Sequence, residues 1–284
     1  MHTELATLGA ALCQPGAAPP GIHHDLTARA AQTIVTLPAG GFGYRMRDVA
    51  AEAGGVTQKS LLPLPNGETL IERIIRLYAA AGFREFLTLV NHEGQAVERA
   101  VGDGSRWDVS VTYSYDPEPT GSGRTGALVH ALRAGHLRRG VPIVVHNADC
   151  HIFGYAGSFP LDLLAAHLDA VAAGAVVTLA AVEGSPYPFT GMQIRNGRVA
   201  AVEMYPFIPV PTHAGITILE PAALDTIESR AAASQKNFEA DLFPLWAAEG
   251  ALAAMVVRHE QWVAVDDRKA YRNFCLAVAG ESRV

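Results

Sequence analysis

Apolar positions along residues 33–149 follow two different spacings in turn. Short runs rich in β-branched residues predict buried strands at 33–37, 86–90, 109–115 and 141–149. Apolar residues at helical spacing between these runs predict helices over 68–82, 94–104 and 125–135. Strands that alternate with helices over such short distances build a mostly parallel sheet flanked by helices. The first half of the chain therefore predicts a Rossmann-like α/β fold.

The pattern changes after residue 150. Strand-like segments occur at 175–182, 191–205, 213–219 and 253–265, with a helical segment at 237–250. The second of these segments contains Asn196-Gly197, a pair that favours a hairpin turn. We therefore predict a mixed sheet whose C-terminal half is more antiparallel. In this interpretation residues 33–284 form a single domain, and residues 1–32 form an N-terminal arm or appended helices.

Charge and cysteine content narrow the class of function. The 284 residues carry a formal net charge of −6, which argues against non-specific binding to nucleic acid. No apolar run approaches the length that spans a bilayer, so we expect no membrane partner. Three scattered cysteines fit a reducing compartment better than a disulfide framework. We expect a globular cytoplasmic protein.

The segment "LPAGGFGYRMR" (37–47) follows the first predicted strand and places three glycines before two arginines. Ligands of parallel α/β sheets bind at the carboxyl ends of the strands. A glycine-rich loop there can present backbone N–H groups to a phosphate, and arginine adds paired hydrogen bonds to its oxygens. The spacing matches neither a P-loop nor the dinucleotide-binding G-x-G-x-x-G. By themselves the glycines fit a phosphate loop or an ordinary turn.

Two separated motifs together resemble the signature of the sugar-1-phosphate nucleotidylyltransferases. Residues 37–46 resemble [LA]-A-G-G-x-G-x-R-[LM], and "QKSLLP" (58–63) resembles P-K-x-L-L-P. Later segments such as "GRTGAL" (123–128) and "NFEADLFPL" (237–245) also resemble family segments in order, so the resemblance covers about residues 33 to 274. It implies an enzyme that joins a nucleoside triphosphate to a sugar 1-phosphate or cyclitol phosphate. The products would be a nucleotide sugar and pyrophosphate.

The resemblance implies two catalytic cations. Arg45 matches the loop arginine that holds the triphosphate and stabilises the leaving pyrophosphate, and Lys59 matches the lysine that contacts the phosphates from the other side. Gln58 stands where the family has proline, which we expect to loosen the turn while the cation is kept. The further nucleotide-binding positions that the resemblance implies are Leu37, Ala39, Gly40, Gly41, Gly43 and Gly126.

A divalent metal, Mg²⁺ or Mn²⁺, is the cofactor that the resemblance implies. Asp149 would match the metal-binding aspartate, because it ends the apolar strand "PIVVHNA". The family's second metal carboxylate falls on Ala264 in one alignment, whereas a cytidylyltransferase-like pattern places it on Asp266. Side chains alternate along a strand, so residues 264 and 266 would face the same way. We predict Asp266 as the second ligand and Asp267 as a helix cap.

Base and acceptor contacts are also implied by the resemblance. Asp116 and Glu118 lie in the loop that reads the base, and carboxylates accept hydrogen bonds from the N–H donors of guanine, which favours GTP. The sugar phosphate would meet Gly191, Glu203 and His213. Met204 stands where the family often has a lysine for that phosphate, so another cation must serve, with Arg195 and Arg198 as candidates.

Three functions follow from these features. The first is a metal-dependent nucleotidylyltransferase whose partners are a nucleoside triphosphate and a sugar phosphate, with room for a homo-oligomer. The second is a cytidylyltransferase for a small phosphorylated alcohol or a phosphonate, suggested by "VAVDD" (263–267). The third is a catalytically inactive relative that binds a nucleotide sugar as a regulatory subunit, suggested by Met204 and Ala264. Arg45, Lys59 and Asp149 together favour an enzyme.

Overall fold

The computed structural model describes residues 2–13, 25–41, 43–231 and 237–281. The strands are β1 (Ile34–Pro38), β2 (Glu85–Val90), β3 (Ser110–Tyr115), β4 (Ile143–His146), β5 (Cys150–Ile152), β6 (Val177–Val182), β7 (Ser185–Pro186), β8 (Thr190–Arg195), β9 (Arg198–Met204), β10 (Phe207–Ile208), β11 (Thr212–Leu219), β12 (Leu252–Val257) and β13 (Trp262–Ala264). The helices are α1 (His2–Leu12), α2 (Leu26–Gln32), α3 (Arg47–Glu52), α4 (Leu70–Ala80), α5 (Gly94–Val101), α6 (Gly123–Arg133), α7 (Phe159–Ala172), α8 (Pro221–Arg230), α9 (Phe238–Ala248) and α10 (Arg268–Glu281).

A seven-stranded sheet with the order β12-β6-β11-β4-β1-β2-β3 forms the centre of the fold. Strands β3, β2, β1 and β4 run parallel to one another, and β12 runs parallel to β6. Strand β11 pairs antiparallel with both β4 and β6. The predicted Rossmann-like sheet, mostly parallel and flanked by helices, is therefore confirmed.

The C-terminal half adds three antiparallel two-stranded pairs, β8-β9, β7-β10 and β5-β13. The hairpin at Asn196-Gly197 forms where the sequence predicts it, with both residues at positive φ. The more antiparallel character of this half is confirmed as well.

The predicted strand over 253–265 is wrong as a single element. Strands β12 and β13 are separated by a short 3-10 turn at His259–Gln261, and of the two only β12 joins the central sheet. The Gln261 side chain accepts a hydrogen bond from Arg258 N, which closes the turn. Trp262 Nε1 then donates to Ala214 O at 2.9 Å and fixes β13 against β11. Strand β13 therefore leaves the sheet edge and runs toward β5.

Apolar side chains fill both faces of the sheet. One buried cluster joins α4, α5 and α7 to the sheet, and another joins α6, α8 and α9 to the opposite side. Helix α2 contributes Ala30, which is fully buried in the first cluster. Residues 14–24 of the predicted N-terminal segment lie outside the described residues, and the division at residue 32 stays a prediction. Among the helices described, none is long and apolar enough to cross a membrane.

Candidate active site

A cavity of about 710 Å³ opens at the carboxyl ends of β1 to β4. Its volume lies within the range of small-molecule sites. The three segments that follow β1, β3 and β4 all contribute to its wall, as expected for a parallel α/β sheet. Its lining includes Ala39, Gly40, Gly41, Gly43, Arg45, Gln58, Lys59, Asn91, Asp116, Arg124, Asn147, Asp149 and Asp266.

The glycine loop needs its glycines at two positions for different reasons. A Cβ on Gly40 would lie 3.0 Å from Asn91 Cβ, so a side chain there would crowd the end of β2. Gly43 has a φ of +57° and heads the 3-10 turn that carries Arg45. Leu37 lies inside the sheet, fully buried, and is not part of the cavity wall. Phe42 lies outside the described residues.

Gln58 connects the glycine loop to the lysine motif. Its Nε2 donates to Ala39 O at 2.5 Å and to Gly41 O at 3.0 Å. Its Oε1 accepts from Ser60 N at 3.2 Å and caps the 3-10 turn at Lys59–Leu61. The side chain is buried. The expectation that glutamine loosens this turn is therefore wrong, because the Gln58 amide joins the glycine loop to the turn that carries Lys59.

Lys59 lies between two carboxylates at the cavity wall. Its Nζ lies 2.8 Å from Asp149 Oδ2 and 2.8 Å from Asp266 Oδ1, and its side chain is 13% exposed. The two carboxylate oxygens are therefore no more than about 5.6 Å apart, twice that distance. Burial alone lowers the pKa of Lys59, but attraction to Asp149 and to Asp266 outweighs it, so the pKa is raised. Lys59 is an ammonium at neutral pH.

Two turns bring these carboxylates together. Strand β4 ends at His146, and Asp149 lies in the turn between β4 and β5 that Cys150 N closes on Asn147 O. Val265 N donates to Asp149 O at 2.8 Å, which places the segment after β13 beside this turn. Asp266 follows the end of β13 and thus reaches the cavity from a loop, not by the strand alternation that the sequence suggests.

Of the two candidate positions for the second metal ligand, 264 and 266, only residue 266 lines the cavity. Ala264 pairs with Cys150 between β13 and β5 and does not line the cavity. Burial raises the pKa of Asp266, yet hydrogen bonding and attraction from Lys59 outweigh it, so the pKa is lowered. Asp267 caps α10 as predicted, since its Oδ1 accepts from Ala270 N at 2.8 Å.

The two carboxylates fit a hard divalent cation that takes its remaining ligands from a substrate and from water. Asp149 and Asp266 both line the cavity, and their side chains are 34% and 40% exposed. Among the described residues no group of three or more His, Cys, Asp or Glu side chains gathers around one point. Mg²⁺ is commonly held by one or two carboxylates, with phosphate oxygens and waters completing its shell. The metal roles of both aspartates stay predictions.

A buried histidine, His146, stabilises the turn that carries Asp149. His146 Nε2 lies 2.8 Å from Cys150 O, and Nδ1 lies 3.1 Å from the Tyr78 hydroxyl. A carbonyl oxygen only accepts, so Nε2 carries the proton and Nδ1 accepts from Tyr78. Burial lowers the pKa of His146 to about 4, which keeps the ring neutral at physiological pH.

The two arginines of the loop differ in position. Arg45 lines the cavity, is 75% exposed and reaches Asp266 Oδ1 at 3.3 Å. Arg47 is absent from the cavity wall, and its guanidinium lies over the Tyr44 ring at 4.4 Å. The exposed Arg45 is therefore the loop arginine that can reach a bound phosphate.

The loop after β3 is shaped by its own acidic residue. Asp116 accepts hydrogen bonds from Ser122 N at 2.7 Å, from Ser122 Oγ at 2.8 Å and from Glu118 N at 3.0 Å. Asn91 Nδ2 adds a bond to Glu118 O at 2.7 Å. The Glu118 side chain is exposed and does not line the cavity. Both acids stay predictions as base contacts, but the position of Asp116 already has a structural reason.

Gly126 lies on α6 and not on the cavity wall. A Cβ at this position would lie 2.3 Å from Ser122 Cβ, so glycine lets the loop close on the helix. Its contribution to nucleotide binding would therefore be indirect, through the loop that Asp116 and Ser122 form. Asn91, which no sequence motif indicates, joins the end of β2 to this loop through its side chain.

The predicted acceptor contacts are not gathered at the cavity. Gly191 and Glu203 face each other across the hairpin β8-β9, and neither lines the cavity. His213 does not line the cavity either. Its Nε2 lies 3.0 Å from Thr217 Oγ1, and its Nδ1 lies 3.8 Å from Glu239 Oε2. Burial lowers the pKa of His213. The three acceptor roles stay predictions.

Known proteins with similar sequences extend this picture. The nucleotidyl transferase family model matches residues 35–279. The mannose-1-phosphate guanylyltransferase catalytic subunit beta of Danio rerio is 27% identical over 220 residues, which cover 76% of this chain and 56% of that protein. The N-acetylmuramate alpha-1-phosphate uridylyltransferase of Neisseria meningitidis serogroup B is 38% identical over 114 residues, which cover 39% and 44%. The chain thus spans about half the length of the curated relatives it matches.

A solved structure shares the fold. The crystal structure of a Bacillus anthracis protein described as a glucose-1-phosphate thymidylyltransferase, in complex with a sucrose, superposes with a TM-score of 0.61. The superposition covers 85% of this chain and 93% of that one at 16% identity. The family resemblance of the two loop motifs is confirmed by the match over residues 35–279. The chain belongs to the nucleotidyl transferase family.

Proposed function

We propose that this protein transfers the nucleoside monophosphate of a nucleoside triphosphate to a sugar 1-phosphate. One observation carries the proposal: Lys59 joins Asp149 and Asp266 at 2.8 Å in the cavity that the glycine loop and Arg45 border. A cation, two carboxylates and the backbone of a glycine loop in one cavity suit phosphate chemistry. The named relatives act on mannose 1-phosphate and N-acetylmuramate 1-phosphate, which supports a sugar 1-phosphate as acceptor.

The phosphates would enter along the glycine loop. Gly41 has open space where a side chain would project, so a phosphate can approach its backbone. Arg45 would grip the β- and γ-phosphates from the exposed rim, because a guanidinium binds phosphate oxygens through paired hydrogen bonds. Lys59 would approach the same phosphates from the wall, exchanging a carboxylate for phosphate oxygens.

The two aspartates would then hold the divalent cation. Asp149 and Asp266 are the residues we assign to it, with Mg²⁺ or Mn²⁺ as the ion. When bound, the ion would supply positive charge to the phosphate oxygens and so favour attack by another anion. His146 would hold the Asp149 turn in place, since its hydrogen bond to Cys150 O is buried beneath that turn.

In the reaction an oxygen of the sugar phosphate would attack the α-phosphorus. A new phosphorus–oxygen bond forms, and the bond between the α-phosphorus and the oxygen of the β-phosphate breaks. Pyrophosphate leaves with the electron pair of that bond, where Arg45 can stabilise the added negative charge. The protein contributes alignment and charge neutralisation and forms no covalent bond to the substrate.

The nucleotide is the less defined substrate. Asp116, a carboxylate on the cavity wall, could accept hydrogen bonds from guanine, and a guanylyltransferase is among the relatives, which supports GTP. A cytidylyltransferase is the second candidate, because Asp266 and not Ala264 lies on the cavity wall. The free cysteines Cys13, Cys150 and Cys275 support a reducing compartment, and we propose the cytoplasm.

A pyrophosphate-release assay tests the proposal. GTP, CTP, UTP, dTTP and ATP are each combined with mannose 1-phosphate, glucose 1-phosphate, N-acetylmuramate 1-phosphate and a small phosphorylated alcohol, with Mg²⁺ and with excess chelator. We expect turnover for at least one pair, loss of it in chelator and a nucleotide sugar as product. Turnover with CTP and a phosphorylated alcohol alone would favour the second candidate. Binding of a nucleotide sugar without turnover for any pair would instead indicate a regulatory relative and overturn the proposal.

A further inference from the structure

The cations of the cavity form two groups according to their partners. Among the described residues that line it, the basic side chains are Arg45, Lys59 and Arg124. Arg45 and Lys59 share Asp266 as a partner, so they lie together at the carboxylate wall. Arg124 instead contacts Asn147 and Glu239. Because two anionic substrates must meet in one cavity, a second cationic position has a specific use.

Arg124 is held in place by contacts from two other elements. It lies in the first turn of α6, and its Nη1 donates to Asn147 Oδ1 at 3.2 Å. Its Nη2 pairs with Glu239 Oε2, in the first turn of α9, at 3.0 Å. The Arg124 side chain is 29% exposed and that of Glu239 is 14% exposed. An ion pair this sheltered fixes the guanidinium more firmly than a surface pair would.

The guanidinium keeps the capacity to bind a ligand. Arginine carries five N–H donors, and the contacts with Asn147 and Glu239 do not exhaust them. Asn147 lies two residues before Asp149 in the turn after β4. Arg124 therefore lies near the segment that carries Asp149, while its own contacts are with Asn147 and Glu239. A planar, pre-oriented guanidinium at the edge of a cavity suits a phosphate or a carboxylate.

The hairpin arginines do not provide this position. Arg195 and Arg198 pair with each other in register beside the hairpin turn, and both are exposed. Neither lines the cavity. Met204, at the position where the family often has lysine, is also exposed and outside the cavity wall.

We propose that Arg124 binds an oxyanion of the acceptor, either its phosphate or a carboxylate on its sugar, and thereby sets acceptor specificity. The proposal rests on the proposed nucleotidyl transfer. Glu239 and Asn147 are positioning residues in this scheme, because their contacts orient the guanidinium. The acceptor class is therefore an anionic sugar whose negative group lies against α6.

The test compares Arg124→Leu with Arg133→Leu, a matched loss of an ion-paired arginine on the same helix. Arg133 pairs with Glu228 at 3.1 Å, is 62% exposed and does not line the cavity. KM for the acceptor and for the nucleoside triphosphate are measured separately, with mannose 1-phosphate and with N-acetylmuramate 1-phosphate. We expect Arg124→Leu to raise the acceptor KM about 10- to 100-fold, the loss of a charge-assisted contact, with the triphosphate KM changed less than about threefold.

The two acceptors distinguish the sources of the oxyanion. An equal rise for both identifies the phosphate, whereas a rise confined to N-acetylmuramate 1-phosphate identifies the carboxylate. A rise in the triphosphate KM, or no change in either constant, overturns the proposal. The double variant Arg124→Leu, Glu239→Gln removes both charges of the pair, so it tests the same contact if the single variant folds poorly. It should reproduce the acceptor defect, and a recovered acceptor KM would also overturn the proposal.

Calorimetric binding separates this proposal from the proposed function. If the wild type shows no turnover with any substrate pair, the proposed function fails, but binding of the two sugar phosphates can still be measured. Binding by the wild type and Arg133→Leu that is lost in Arg124→Leu supports the assignment of Arg124. Equal binding by all three proteins, or none by the wild type, overturns it.

Discussion

Substituting Lys59 by methionine removes the one ammonium that separates two carboxylates. Methionine nearly preserves the length and apolar stem of the side chain, so the charge is the main change. In the protein Lys59 Nζ lies 2.8 Å from one oxygen each of Asp149 and Asp266. Lys269→Met is the matched control, because Lys269 is an exposed lysine outside the cavity wall.

The size of the effect follows from the distances. Without Lys59 the two carboxylate oxygens face each other at no more than about 5.6 Å, twice the 2.8 Å contact. Two unit charges at that separation repel by about 3 kcal/mol at an effective dielectric constant of 20. Since the aspartates are 34% and 40% exposed, solvent reduces this value. We therefore expect Lys59→Met to lower the free energy of unfolding by roughly 1–3 kcal/mol.

The same variant separates the stability and catalytic roles of Lys59. Turnover should fall by about 10²- to 10⁴-fold, the range for removing a group that stabilises transition-state charge. Mg²⁺ without nucleotide should raise the Tm of Lys59→Met more than that of the wild type, because the ion no longer competes with an ammonium. Urea unfolding, pyrophosphate release and melting with Mg²⁺ measure the three effects. Near-normal turnover, or a Mg²⁺ response no larger than that of Lys269→Met, would refute this reasoning.

Three further predictions address the loop and its support. Arg45→Ala should lower turnover by orders of magnitude while Arg47→Ala retains it in the pyrophosphate assay, because only Arg45 lines the cavity; similar losses would contradict this. Gln58→Ala should lower the free energy of urea unfolding by about 2 kcal/mol and raise the triphosphate KM, since the loop carbonyls lose their donor. His146 stays neutral when folded, with a pKa of about 4, while the unfolded side chain gains a proton below its ordinary value of 6.5. The contribution of His146 to the free energy of unfolding is therefore complete above pH 6.5 and declines toward pH 4. The stability advantage of the wild type over His146→Gln should shrink by about 2 kcal/mol from pH 8 to pH 5. A difference that does not change with pH would contradict the lowered pKa of His146.

Local patterns in the sequence were sufficient for the sheet, whereas the residues of the cavity wall were indicated by the resemblance of separate motifs to a family. The β-branched runs and helical spacings in the first half predict elements within a few residues of those observed, because each is buried against a continuous apolar core. The capping box of Thr69 and Glu72 gives α4 a sharp start. Helices α3, α7 and α8 escaped notice, since α3 is short and α7 has apolar residues on most of its surface.

The features that local patterns could not explain depend on contacts between distant parts of the chain. Gln58 binds carbonyls 17 and 19 residues away, which no local preference for a turn can reveal. Asp266 enters the cavity because Val265 N bonds to Asp149 O, whereas the predicted alternation fails once β13 ends at Ala264. Arg124 resembles an ordinary helix residue until Asn147 and Glu239 turn it toward the cavity.

Transfer of a nucleoside monophosphate to a sugar phosphate is the reaction that we propose for the cavity. The most direct measurement is isotope transfer from an α-³²P-labelled nucleoside triphosphate to a sugar 1-phosphate with Mg²⁺, beginning with GTP and mannose 1-phosphate, followed by separation of the products. Our account predicts a labelled nucleotide sugar and equimolar pyrophosphate, with both lost in Asp149→Asn. If no combination of nucleoside triphosphate and sugar 1-phosphate yields labelled product, or if Asp149→Asn yields as much as the wild type, the account is contradicted.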